Sequence, residues 1–166
     1  PVFAVLRRAL SEKSFPLWNP YQLAGWPFLA AFQTQVLYPP AWAVAWLEPH
    51  WAVTVYGTLH WVFAFVGAVV LASVQGATPF ASLVVAIFYA LSRPAAEGFF
   101  IHSASMAVLA WLPWCAAGSW RLAESVVAGR SVGAVCLLAV ALALALLAGA
   151  PAQFAYLCMT VVGFGL

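Results

Sequence analysis

Beyond residue 50 the chain runs in long uncharged stretches separated by short polar ones, whereas the first fifty residues follow no single periodicity. Residues 51–74 carry no charge and, as a helix, would rise about 36 Å, enough to cross a hydrocarbon core of about 30 Å with some tilt. Residues 78–91 are equally apolar but would rise only about 21 Å, so they cross fully only if residues 92–97 prolong the helix or the bilayer thins. Residues 99–120 form the next run, and Pro113 inside it predicts a kink about one turn earlier, near Leu109. Residues 131–150 follow, and 152–166 begin one more. The pattern predicts an all-α polytopic membrane protein with four spans and part of a fifth.

The alternation ALALAL at residues 141–146 imitates a strand, but an isolated strand leaves its backbone unsatisfied in lipid, so a helix is expected. On that helix Ala141, Ala145 and Gly149 make a small-residue stripe suited to close packing. Residues 1–50 read as a loop region flanked by surface helices. VFAVLRRAL has the pattern of an amphipathic helix, and Trp42 and Trp46, four apart in AWAVAWL, predict a short interfacial helix before the first full span. Between them, residues 15–40 hold Pro16, Pro20, Pro27, Pro39 and Pro40, with Gly25 and an Asn19-Pro20 turn signal, which predicts an ordered but irregular segment. Trp18, Tyr21, Trp26 and Tyr38 join an apolar ring to a polar atom, as suits a membrane–water interface.

Composition supports lipid as the main solvent: 66% of residues are hydrophobic and 6% charged, against about a quarter charged in soluble domains. A net charge of +2 gives no reason to expect a nucleic-acid partner. Cys115, Cys136 and Cys158 lie in apolar runs at spacings that fit neither a metal site nor a disulfide scaffold, so buried, inert thiols are expected. Orientation is not decided by charge. Three crossings put the first loop and the 121–130 loop on opposite faces, yet Arg7, Arg8 and Lys13 mark one and Arg121 and Arg130 the other.

PLWNPYQLAGWPFLAAFQTQVLYPP, at residues 16–40, resembles the first extracytoplasmic loop of the YfhO-like bacterial membrane proteins, in the GT-C class of polytopic glycosyltransferases. Weaker matches follow in order: Leu91-Ser92, AWLPW at 110–114 and LAGAPAQ at 147–153, so the resemblance runs along nearly the whole chain. It implies a GT-C-like helical bundle in the bacterial cytoplasmic membrane with the first loop outside. The implied activity moves a sugar from a polyprenyl-phosphate donor to an extracytoplasmic cell-envelope polymer or lipid. Such enzymes place an acid, usually Asp, near the outer end of their first span, in a Gly-Asp pair just before the position matching Pro1. The chain has no Asp; its acids are Glu12, Glu48, Glu97 and Glu124. With no Met at Pro1 and an apolar run at the other end, a piece of a longer protein is expected, its catalytic carboxylate upstream.

The residues themselves also mark out binding candidates. Arg7 and Arg8 suit either the phosphate of a lipid-linked donor or anionic headgroups. Glu48 and His50, around Pro49, suit a divalent ion, a hydroxyl or plain loop polarity. Asn19, Gln33 and Gln35 can bond sugar hydroxyls while Trp18, Tyr21, Trp26 and Tyr38 offer apolar faces; the same residues can simply brace the loop. His60, well inside an apolar run, is either a site residue or a neutral imidazole bonded to another helix. His102, with Arg93 and Glu97, forms a cluster near the end of its run that reads as a site wall or a surface ion pair. Trp111, Pro113 and Trp114 read as a packing and kink motif or as a binding box. Two rival functions fit the same pattern: a lipid or solute transporter with His60 and the Pro113 helix lining a path, and a non-catalytic assembly subunit.

Overall fold

The computed structural model describes residues 2–22, 24–92, 103–127 and 132–165. It is mostly helical, 76% helix against 3% strand, so the all-α expectation stands. Helix α1 (Val2–Ser11) buries Phe3, Val5, Leu6 and Ala9 and leaves Arg7 and Arg8 outward, the two faces that the sequence predicts.

The loop that follows is braced at several points. Strands β1 (Trp18–Asn19) and β2 (Trp26–Pro27) pair antiparallel, with Asn19 opposite Trp26. Gly25, at φ +104°, makes the turn into β2, and a Cβ there would run into the Trp18 indole. After a 3-10 turn (Phe32–Thr34), helix α2 (Pro39–Val44) carries Trp42, whose indole donates to the Val36 carbonyl at 2.6 Å. Trp46 lies beyond the end of α2 and is exposed.

The bundle has α3 (Pro49–Val74), α4 (Pro79–Ala90), α5 (Ser103–Val127), α6 (Val132–Leu147) and α7 (Pro151–Gly165). α3 packs on α4 and α5, and α5 packs on α6 and α7, so α5 is the central helix. The α3–α5 approach is close because α3 turns Ala64, Gly67, Ala68 and Ala72 inward, with Trp114 of α5 lying over Gly67. Contacts fix the directions. Ser103 bonds Gln35 in the loop, Trp111 and Trp114 sit against Phe63, and Trp114 covers Gly67, so α5 runs parallel to α3 and away from the loop. α6 comes back, passing Gly118 at Leu138 and reaching the loop at Ala148.

Of these helices, α3 alone among the described residues is both long enough and apolar enough to cross a membrane. α5 has 25 residues, but its inner positions include Ser103, Trp111, Pro113 and Trp114, a dilution that a helix wrapped by neighbours tolerates. It continues past residue 120 through Arg121 and Glu124 to Val127. α4, α6 and α7 are shorter apolar helices. At 12 residues α4 rises about 18 Å, and it stops at Ala90 rather than running on through Leu91 and Ser92. The indole of Trp61, midway along α3, donates to the Ala90 carbonyl at 3.0 Å, so α4 ends halfway down the bundle.

α5 continues helically through Pro113, and the carbonyl that the missing N–H would orphan, Leu109, accepts the Tyr89 hydroxyl at 2.6 Å. One expectation is corrected. Of the three thiols only Cys115 is buried; Cys136 is exposed on α6 and Cys158 half-buried.

Candidate functional site

The candidate residues separate into two neighbouring groups at the loop end of the bundle. The first lines a cleft of about 330 Å³ between α1 and the start of the loop, bounded among others by Arg8, Glu12, Phe15, Trp18 and Tyr21. Arg8 Nε donates to Glu12 at 2.6 Å, and its guanidinium lies 5.3 Å from the centre of the Tyr21 ring. Trp18 and Tyr21 are both more than half exposed, so the cleft offers aromatic faces beside a charged pair. Glu12 was not among the binding candidates read from the sequence; here it is the acid of the cleft.

Arg7 points elsewhere and pairs with Glu48 at 3.4 Å, both side chains well exposed. That pairing ties α1 to the start of α3. His50 stacks obliquely on Trp51 instead of joining Glu48, and among the described residues no three His, Cys, Asp or Glu gather as a metal site.

The second group is a buried polar chain. His60 Nδ1 faces the Tyr56 carbonyl at 2.8 Å, which can only accept, so Nδ1 carries the proton and Nε2 is the acceptor. Tyr38 therefore donates its hydroxyl to His60 Nε2 at 2.8 Å, while its oxygen accepts the Trp111 indole N–H at 2.9 Å. Burial pushes the Tyr38 phenol up to about 12, the Trp111 bond opposing it, so the hydroxyl stays protonated and able to donate. Beside this chain Gln35 spends its whole amide: Nε2 donates to the Tyr56 hydroxyl at 2.6 Å and the Ala148 carbonyl at 3.1 Å, and Oε1 accepts from Ser103 at 3.3 Å. Gln35 does so at φ +58°, a left-handed backbone that a non-glycine residue rarely adopts. One side chain thus fastens the loop to α3, α5 and the α6–α7 turn.

Next to the Tyr38–His60 pair lies a cavity of about 320 Å³ walled by α2, α3 and α5, with Tyr38, Ala43, Leu59, His60, Phe63 and Trp111 on its wall.

The bracing reading holds for Asn19, which is buried and bonds Gln22 and the Tyr21 backbone N–H, and for Gln35. Gln33 stays exposed. His102, with Arg93 and Glu97, lies outside the described residues. Tyr56 and Ser103 were missed by the sequence reading, because their partners stand far away in the chain. Trp26 Nε1, on β2, is the one buried polar side-chain atom without a partner among the described residues.

No protein-family model, curated protein or solved structure matches this chain.

Proposed function

We propose that this chain is part of a polytopic GT-C-type glycosyltransferase of the bacterial cytoplasmic membrane, with its first loop extracytoplasmic, moving a sugar from a polyprenyl-phosphate donor to a cell-envelope acceptor. The observation that carries the reading is the Arg8 cleft, which gathers a guanidinium, a carboxylate and two exposed aromatic faces at one end of an apolar bundle. A lipid phosphate would exchange with Glu12 for the guanidinium, and sugar C–H faces would lie on Trp18 or Tyr21. The basic group would then stabilise the departing phosphate while a carboxylate activates the acceptor hydroxyl.

The embedding is supported by where apolar side chains are left outward. Leu59, Val62 and Val66 on α3, Phe80, Leu83 and Phe88 on α4, Val132, Leu137 and Val140 on α6, and Met159 and Val162 on α7 are all exposed around the central α5. Such a surface is a liability in water and ordinary in lipid. Between Ser103 and Arg121 α5 rises about 27 Å without a charge, close to the thickness of a hydrocarbon core.

The test is sugar transfer from polyprenyl-phosphate donors by purified protein in detergent. Arg8→Ala is expected to lower the rate on the order of ten- to a hundredfold, the worth of a charge-assisted contact of about 1.5–3 kcal/mol that tightens in the transition state. Equal rates would make Arg8 a headgroup anchor, and no transfer by the wild type would remove the enzyme reading. One observation favours the transporter alternative, the end of α4 halfway down the bundle, since broken helices line many transport sites. Substrate movement across proteoliposomes without sugar transfer would select it.

A further inference from the structure

We infer that the cavity beside Tyr38 and His60 holds one acyl chain of a bilayer phospholipid. It is a site separate from the Arg8 cleft. The inference rests on the membrane-embedded part of the proposed function and is independent of sugar transfer.

The chemistry of the wall favours an apolar ligand. The polar side chains on it are already engaged with one another: Trp111 donates to Tyr38, Tyr38 to His60, His60 to the Tyr56 carbonyl, and the Tyr56 hydroxyl takes the Gln35 amide. What remains facing the space is carbon, from Pro40, Ala43, Val44, Leu59, Phe63 and the aromatic rings. No charged residue among the described ones lines it. At about 320 Å³ it is in the size range of ligand sites, and the burial it offers an occupant is apolar.

Depth selects the ligand. Trp46 and Trp51 are exposed near the start of α3, where an interfacial belt is expected. Leu59 stands about 12 Å beyond Trp51 along the helix, so the cavity runs from α2 at the interface down to the level of lipid tails. Its mouth is bordered by exposed Ala43 and Leu59, the side from which a chain can enter. At that depth acyl chains are the solvent, so mass action favours them over a scarce lipid.

The polyprenyl donor is not the expected occupant, because the two cavities share no lining residue. The Phe15–Trp42 ring stack, centroids 6.3 Å apart, joins the Arg8 cleft to α2, on whose next residues, Ala43 and Val44, the apolar cavity lies. A seated chain would cover the Tyr38–His60 pair and keep water from it, supporting the fastening of the loop.

The experiment uses the protein in nanodiscs containing phosphatidylcholine with a photoreactive diazirine in mid-chain, with adducts mapped by peptide mass spectrometry. Adducts are expected to be enriched on α2 and on α3 around Leu59–Phe63 over the outward faces of α4 and α7. Ala43→Trp, which fills the mouth from an exposed position, should lower that adduct several-fold while those at Phe80 and Met159 persist. Leu59→Phe is the second variant and carries the same expectation if Ala43→Trp does not fold. Even labelling of every outward helix, or labelling unchanged by the filling variants, overturns the site. Loss of the adduct on adding polyprenyl phosphate assigns the cavity to that lipid and overturns the phospholipid. Absence of adducts on all helices would instead overturn the membrane embedding on which the inference rests.

Discussion

Tyr38 shows how one atom can hold a loop on a bundle. Its oxygen accepts from Trp111 and its proton goes to His60, so Tyr38→Phe leaves a half-buried indole N–H and a buried imidazole nitrogen unpaired at once. Each such orphan costs about 1–3 kcal/mol, and the expected outcome is a thermal midpoint in detergent several degrees below wild type. An unchanged midpoint would show that the chain is not formed. Gly149 makes a parallel case by sterics: at φ +88° its absent side chain leaves room for the Phe32 carbonyl, which any Cβ would overlap. Gly149→Ala should therefore destabilise by more than the 0.4–1 kcal/mol scale that a strain-free Gly-to-Ala change gains, measured as a fall in the same midpoint. Sequence alone marked Tyr38, His60 and Gln35 as candidates and placed Gly149 in a packing stripe. It did not pair them, since the partners of Gln35 at Tyr56, Ser103 and Ala148 come from three helices and no local pattern links them.

Among the helices, apolar runs were readable and their ends were not. α3 begins at Pro49, within two residues of the expected start, because a proline at the first helical position and a long uncharged run both act locally. α5 passes Arg121 and Glu124 because helix propensity does not stop at a change of solvent. The α3 inner face repeats, at Ala64, Ala68 and Ala72, the same spacing that was noticed on α6, a signal present in the sequence and passed over. The continuity of α5 at Pro113 rests on a partner from another helix, and this can be tested as a pair. Tyr89→Phe removes the hydroxyl that satisfies Leu109 and should cost about 1–3 kcal/mol. In a Pro113→Ala background the restored amide can serve that carbonyl itself, so the same tyrosine change should cost clearly less. Equal costs in both backgrounds would mean that the two residues are not coupled.

For the whole molecule, the arrangement of charge and the direction of the helices decide what topology to expect. Among the described residues Arg7, Arg8, Glu12, Lys13 and Glu48 lie at the loop end, and Arg121 and Glu124 lie toward the far end of α5. Counted by basic residues, three at the loop end against one at the far end among the described residues, the positive-inside rule leans toward a cytoplasmic loop and against the resemblance, so orientation must come from an outside measurement. Connectivity gives one firm relation: α5 leaves the loop at Ser103, bonded to Gln35, and ends at Val127 after a rise of about 37 Å. Embedded in a bilayer, Gln33 and Ser125 should then face opposite sides. Single cysteines at these two exposed or half-exposed positions, with Cys115, Cys136 and Cys158 replaced, would be labelled in intact cells by a membrane-impermeant maleimide. Gln33→Cys is expected to react from outside and Ser125→Cys only after permeabilisation. The reverse pattern would turn the loop and the Arg8 cleft toward the cytoplasm, away from any extracytoplasmic acceptor. Reaction of both from one side would mean that α5 does not cross, and the polytopic reading would fall with it.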